Sequence, residues 1–124
     1  MNVYEHSLIE ELEILEFVMT EADQDEEGWD AMLQAMANAT RKTGIRRILL
    51  DRSRLGEECP RQPMFAYRTA LRTAEVFGAS VRIAAQATGN DDDNFWETVA
   101  SNRGAIVKVG TQRAPLIDWL MQET

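Results

Sequence analysis

One cysteine, one histidine and three prolines stand among 124 residues, and each scarcity removes a class of chemistry or architecture. Cys59 alone cannot close a disulfide within the chain, which fits a reducing compartment. His6 is the sole imidazole and falls in a terminal segment expected to be mobile. Cys59 has no neighbouring histidine, and no Gly-x-Ser-x-Gly elbow, phosphate-cradling glycine loop or Cys/His metal spacing occurs. Acid–base chemistry would have to rest on carboxylates alone. The chain therefore reads as non-catalytic, with no cofactor and no metal.

Long apolar runs are also missing. None approaches the roughly 20 residues that cross a bilayer, so no membrane span is expected. The opening MNVYEHSLIEELE is acidic, where an export signal begins basic and then turns apolar, and a cytoplasmic location follows as the expectation. Bases are absent from residues 1–40, which hold eleven acids. Residues 41–82 reverse this with ten bases and four acids, and residues 83–124 carry three and six. At a net charge of −8 nucleic acid is not an expected partner, because phosphate binding needs Lys and Arg to displace counterions. The middle segment can still build a local basic patch.

What is present is ordinary for a globular chain: 44% hydrophobic and 27% charged residues, with no repeat or low-complexity linker. A single domain over residues 1–124 is expected. Apolar periodicity alternates between two patterns. Strands are expected at Arg47–Asp51, Ser80–Ala85 and Ala105–Val109. Helical spacing links Trp29, Met32, Leu33, Met36 and Thr40, with Gly44 as the stop and Arg41 and Lys42 at the negative end. It recurs in Met64, Tyr67, Ala70, Leu71, Ala74 and Phe77, preceded by Pro60 and Pro63 and stopped by Gly78. A third helix starts at Asp91-Asp92-Asp93, contains Phe95, Trp96, Val99 and Ala100, and closes at Asn102-Arg103-Gly104. A fourth, capped by Thr111 with Pro115 in its first turn, carries Ile117, Trp119 and Leu120. Ser7 to Glu10 has the form of a capping box, and Leu8, Leu12 and Leu15 have helical spacing. Leu12–Thr20 also has strand character, and strand is preferred because Arg47–Asp51 needs a neighbour. Strands alternating with helices predict an α/β fold, with ligands bound outside the carboxyl ends of parallel strands.

The order of Gly44 and RRILLD, then SVRIAA, DDDNFWETVASNRG, AIVKV and a final helix ending IDWL resembles the SpoIIAA-like family of STAS-type domains. The resemblance covers about Leu12 to Leu120 and is most specific from Asp92 to Gly104. It implies a small bacterial cytosolic domain with a mixed sheet of four to five strands and about four helices. Members are mostly of unknown activity. Among better-understood relatives, some bind partner proteins under phosphorylation control and others hold a lipid or apolar ligand. The chain departs from the first group at the switch itself: an Asp-Ser-Ser-Gly-type turn would lead into the helix, whereas Asp51-Arg52-Ser53-Arg54 opens a longer loop here.

The candidate binding residues cluster after that strand. Asp51 at its end is suited to hydrogen bonds from loop N–H groups or an arginine. Ser53 between Arg52 and Arg54 reads as a phosphate carrier offset by two cations, as an anion grip formed by those cations, or as a solvated turn. Arg61 and Arg68 extend the basic surface, and Arg72 lies one turn beyond Arg68 with Glu75 in reach. The acidic segment can neutralise this surface within the chain or across a dimer. Trp96 and Trp119 read as packing residues. The leading expectation is a regulatory or protein-interaction domain with a protein partner or self-association. The alternative is a small carrier holding a lipid or other apolar or anionic ligand between the sheet and the Met64–Phe77 helix.

Overall fold

Strict alternation along the strands sorts their side chains onto two faces, and the helices then divide unequally between those faces. The computed structural model describes residues 4–9, 13–19, 26–52, 63–86 and 91–122. Its elements follow in the order β1 (Tyr4–Ile9), β2 (Ile14–Met19), α1 (Glu26–Thr43), β3 (Arg47–Asp51), α2 (Pro63–Phe77), β4 (Arg82–Gln86), α3 (Asp91–Asn102), β5 (Ile106–Gly110) and α4 (Arg113–Met121). The α/β class with four helices is as the sequence predicts. Strands β2 to β5 run parallel in sequential order. β1 folds back antiparallel on β2, with Tyr4 opposite Met19 and Ile9 opposite Ile14.

That hairpin corrects the helical alternative at the start of the chain. Ser7, Leu8 and Ile9 lie in β1 and Leu15 in β2. His6 is a strand residue opposite Phe17 rather than part of a tail outside the fold. The local capping pattern loses to the pairing that β1 gains along the whole of β2.

One face carries Leu15, Phe17 and Met19 of β2, Ile48 and Leu50 of β3, Ile83 and Ala85 of β4, and Val107 of β5. α1, α2 and α3 all pack there through Trp29, Met32, Leu33 and Met36, through Ala66, Ala70 and Phe77, and through Trp96 and Ala100. Sequential parallel strands joined by crossovers of one hand place every connecting helix on the same side. Each large side chain buried in this layer stabilises the fold by roughly 1.5–3 kcal/mol.

The opposite face is covered by α4. Leu116 and Leu120 bury Ile14, Leu49 and Ala84 in a second, smaller core. Gly110 makes this approach possible: a Cβ there would stand 3.2 Å from Cδ2 of Leu116. α4 begins without a side-chain cap at Gln112, so the expected capping by Thr111 is not made.

The expected helix stops hold, with Gly44, Gly78 and Gly104 all at positive φ. At Gly104 the value is +98°, a conformation that strains any residue with a Cβ. No helix among the described residues is long and apolar enough to cross a membrane.

The inward face of α2 differs from the expected stripe. Met64 is 49% exposed, and Tyr67, Leu71 and Ala74 are only half-buried. The buried stripe is Ala66, Thr69, Ala70, Thr73 and Phe77. Two threonines replace expected apolar positions because their hydroxyls bond back along the helix, Thr69 to Ala66 O at 3.3 Å and Thr73 to Thr69 O at 2.8 Å. A threonine satisfied in this way presents its methyl group to the core.

Candidate interaction site at the carboxyl end of the sheet

β3 ends at Asp51, half-buried and in register between Val18 of β2 and Gln86 of β4. Arg52 follows, and its N–H donates to Gln86 O at 2.7 Å, extending the β3–β4 pairing by one residue. The alternation that turns Ile48 and Leu50 toward α1–α3 turns Arg52 the same way. Its side chain is 4% exposed, and its Cζ lies 5.9 Å from the centroid of the Trp29 ring. A desolvated guanidinium over an indole gains about 2 kcal/mol. Arg52 thus enters the helical layer and does not stand on the rim as an open cation.

Trp29 organises this corner. Its ring meets Trp96 of α3 edge to face, centroids 6.0 Å apart at 71°. Its Nε1–H donates to the Thr73 hydroxyl at 3.3 Å. One indole therefore ties α1 to α2, to α3 and to the end of β3. The reading of Trp96 as a packing residue agrees with its burial, at 4% exposed. The coordinating part of Trp29 is visible only in three dimensions, because its contacts come from residues 23 to 67 positions away.

Of the other predicted site residues, Ser53, Arg54 and Arg61 lie outside the described residues. Arg68 is exposed on α2. It lines a cavity of about 290 Å³ with Asp30, Thr69, Leu71, Arg72 and Glu75. Here one acid of the N-terminal segment, Asp30, pairs with one base of the middle segment, Arg72. Arg72 Nε lies 3.1 Å from Asp30 and its Nη1 3.2 Å from Glu75. The hydrogen bond to Asp30, and then that carboxylate's charge, hold the Arg72 guanidinium above its ordinary pKa; desolvation opposes the rise and Glu75 adds to it. Both partners are substantially solvated, so the pair fixes geometry more than it adds stability.

Two residues that the sequence pattern assigns to helix interiors stand at this end of the molecule. Met64 near the start of α2 is 49% exposed, and Phe95 near the start of α3 is 47% exposed. α2 and α3 pack side by side, and each follows directly on the loop after a parallel strand, so both starts adjoin the carboxyl end of the sheet. Arg68 lies one turn beyond Met64 on the same helical face. Two large apolar side chains are thus exposed near the starts of neighbouring helices, one of them a turn from the exposed Arg68.

The described bases of the middle segment gather mostly at the other end. Arg41 and Lys42 close α1, Arg46 and Arg47 lead into β3, and Arg82 opens β4 opposite Arg47. Arg47 Nε donates to Leu120 O at 3.2 Å. Arg82 donates through Nη2 to Trp119 O and through Nη1 to Gln122 O, each at 2.7 Å. No family model, curated protein or solved structure matches this chain.

Proposed function

We propose that the chain is a non-catalytic, regulatory protein-interaction module of the SpoIIAA-like, STAS type, acting in the cytoplasm through the carboxyl end of its sheet. The mixed sheet with helices packed against it, as that resemblance implies, supports the reading. The observation that carries it is the exposure of Met64 and Phe95 near the starts of neighbouring helices, with Arg68 one turn beyond Met64. Each of these side chains is already about half buried, so covering the rest gains roughly half of the 1.5–3 kcal/mol that full burial gives. Two such anchors with a basic neighbour fit a protein surface that offers apolar pockets edged by carboxylates.

Arg52 and Asp51 serve this surface indirectly. Arg52, held under Trp29 and bonded to Gln86 O, fixes the end of β3 as far as residue 52. Ser53 follows Arg52 directly in the chain, and a phosphate on it would add negative charge one residue beyond Arg52.

The test is affinity capture from the native host with the intact chain and with the double variant Met64→Glu, Phe95→Glu. A partner retained by the native chain and lost from the variant, at equal melting temperature, is the expected result. Identical capture profiles would remove this surface from consideration. Ligand-free native mass spectra accompany the interaction reading, whereas a co-purifying lipid would favour a carrier.

A further inference from the structure

The amino end of the sheet holds a second feature, separate from the proposed docking surface. A cavity of about 610 Å³ lies where β3, β4 and β5 begin, lined by Arg46, Arg47 and Arg82 together with apolar Ile45, Val81 and Ile106. Glu13 is the one acidic residue among its described lining. A second cavity of about 360 Å³ shares Gly44, Arg46, Ser80 and Val81 with it and adds Arg41. Four arginines thus border one continuous region of a protein whose net charge is −8.

From this arrangement we infer that the cavity is a binding site for a small organic anion, a carboxylate or phosphate carried on an apolar body. Two of these cations are positioned before any ligand arrives. Arg82 is locked by its bonds to the carbonyls of Trp119 in α4 and Gln122 just past it, and by the Trp119 ring, 4.3 Å from its Cζ. Its Nε is buried and has no partner among the described residues. Arg47 uses Nε on Leu120 O, and no bond from its terminal nitrogens is formed among the described residues. Arg46 is exposed at the mouth.

The negative end of α4 accounts for part of this positive charge, since a helix C-terminus carries about half an elementary charge. Glu13 accounts for another unit. Among the described residues the arginines exceed both, and an anion of one or two charges complements them. The apolar wall distinguishes this site from a simple counterion patch. Half-buried Ile45 and Ile106 offer an amphipathic ligand an apolar surface that inorganic phosphate cannot use, while Val81, 5% exposed, backs them from the core.

The experiment is an NMR titration of the intact chain with octanoate, octyl phosphate and inorganic phosphate, following the Trp119 indole and the arginine Nε resonances. The octyl probes are expected to move these signals saturably and inorganic phosphate to bind more weakly. Arg46→Glu, which disrupts no described bond, is expected to lower octyl-probe affinity about tenfold or more. Arg68→Glu, on the proposed docking surface, should leave it unchanged. Absence of saturable shifts with the octyl probes would overturn the site, as would binding that Arg46→Glu does not weaken. Loss of partner capture by Met64→Glu, Phe95→Glu is independent of either result.

Discussion

The guanidinium of Arg82 lies over the ring of Trp119, Cζ 4.3 Å from the centroid, while its Nη2 donates to the carbonyl of the same residue at 2.7 Å. One side chain at the start of β4 therefore holds the last turn of α4 by its face and its backbone. α4 is the helix that covers the second face, and its own sequence supplies neither an acidic first turn nor a basic last turn. Arg82 and Arg47 provide from the sheet the cations that a helix C-terminus favours. Arg82→Ala is expected to cost about 2–4 kcal/mol through lost charge-assisted bonds and ring contact. Urea denaturation followed by circular dichroism measures this. Arg82→Lys should recover only part of the loss, since an ammonium cannot both stack and reach two carbonyls.

The outer edge of β5 is closed by a side chain. Glu97 of α3 accepts the Val109 N–H at 2.7 Å. Since β4 occupies the other edge, this N–H points to the unpaired side, where an open strand would invite another chain. Glu97→Ala is expected to destabilise the fold by about 1–2 kcal/mol and to raise self-association above that of the native chain in sedimentation velocity. Glu97→Gln keeps an acceptor and should behave as the native protein. Equal sedimentation of the native chain and Glu97→Ala would show that the edge needs no such closure.

Thr73 joins the buried aromatic corner to α2. Its hydroxyl accepts from Trp29 and donates to Thr69 O. Thr73→Val preserves shape but removes both roles, and the expected loss is about 1–3 kcal/mol. Thr73→Ser should retain most of the bond at the smaller cost of one methyl group. Thermal unfolding of both variants separates hydrogen bonding from packing: a Val variant as stable as the native chain would mean that the indole finds another acceptor.

These three cases also mark what the linear sequence shows. Helix stops at Gly44, Gly78 and Gly104, and strands built on Ile48-Leu49-Leu50 and Ile83-Ala84-Ala85, follow from local chemistry and are plainly legible. The hairpin of β1 is less so, because Ser7 to Glu10 satisfies a helical rule locally while its pairing with β2 is nonlocal. The inner face of α2 is misread for a related reason: Thr69 and Thr73 are polar letters, and only their back-bonding makes them core residues. Met64 and Phe95 look like core because they are apolar, and nothing local marks them as exposed.

Arg52 carried a signal that strand alternation already contained. Ile48 and Leu50 face inward, so position 52 does as well, and a cation there requires an aromatic or polar ceiling. Trp29 is that ceiling, but it lies on another helix. The basic amino end is likewise spread over Arg41, Arg46, Arg47 and Arg82. Only the β3–β4 register, which sets Arg47 opposite Arg82, brings them together.

The proposed function rests on Met64 and Phe95 anchoring a protein partner at the carboxyl end of the sheet. Hydrogen exchange of the native chain, alone and with the captured partner, tests it most directly. Slowed exchange over residues 64–68 and 94–98, with α4 unchanged, is the predicted result. Protection confined to α4 or to the outer edge of β5, with both helix starts exchanging as in the free chain, would contradict it.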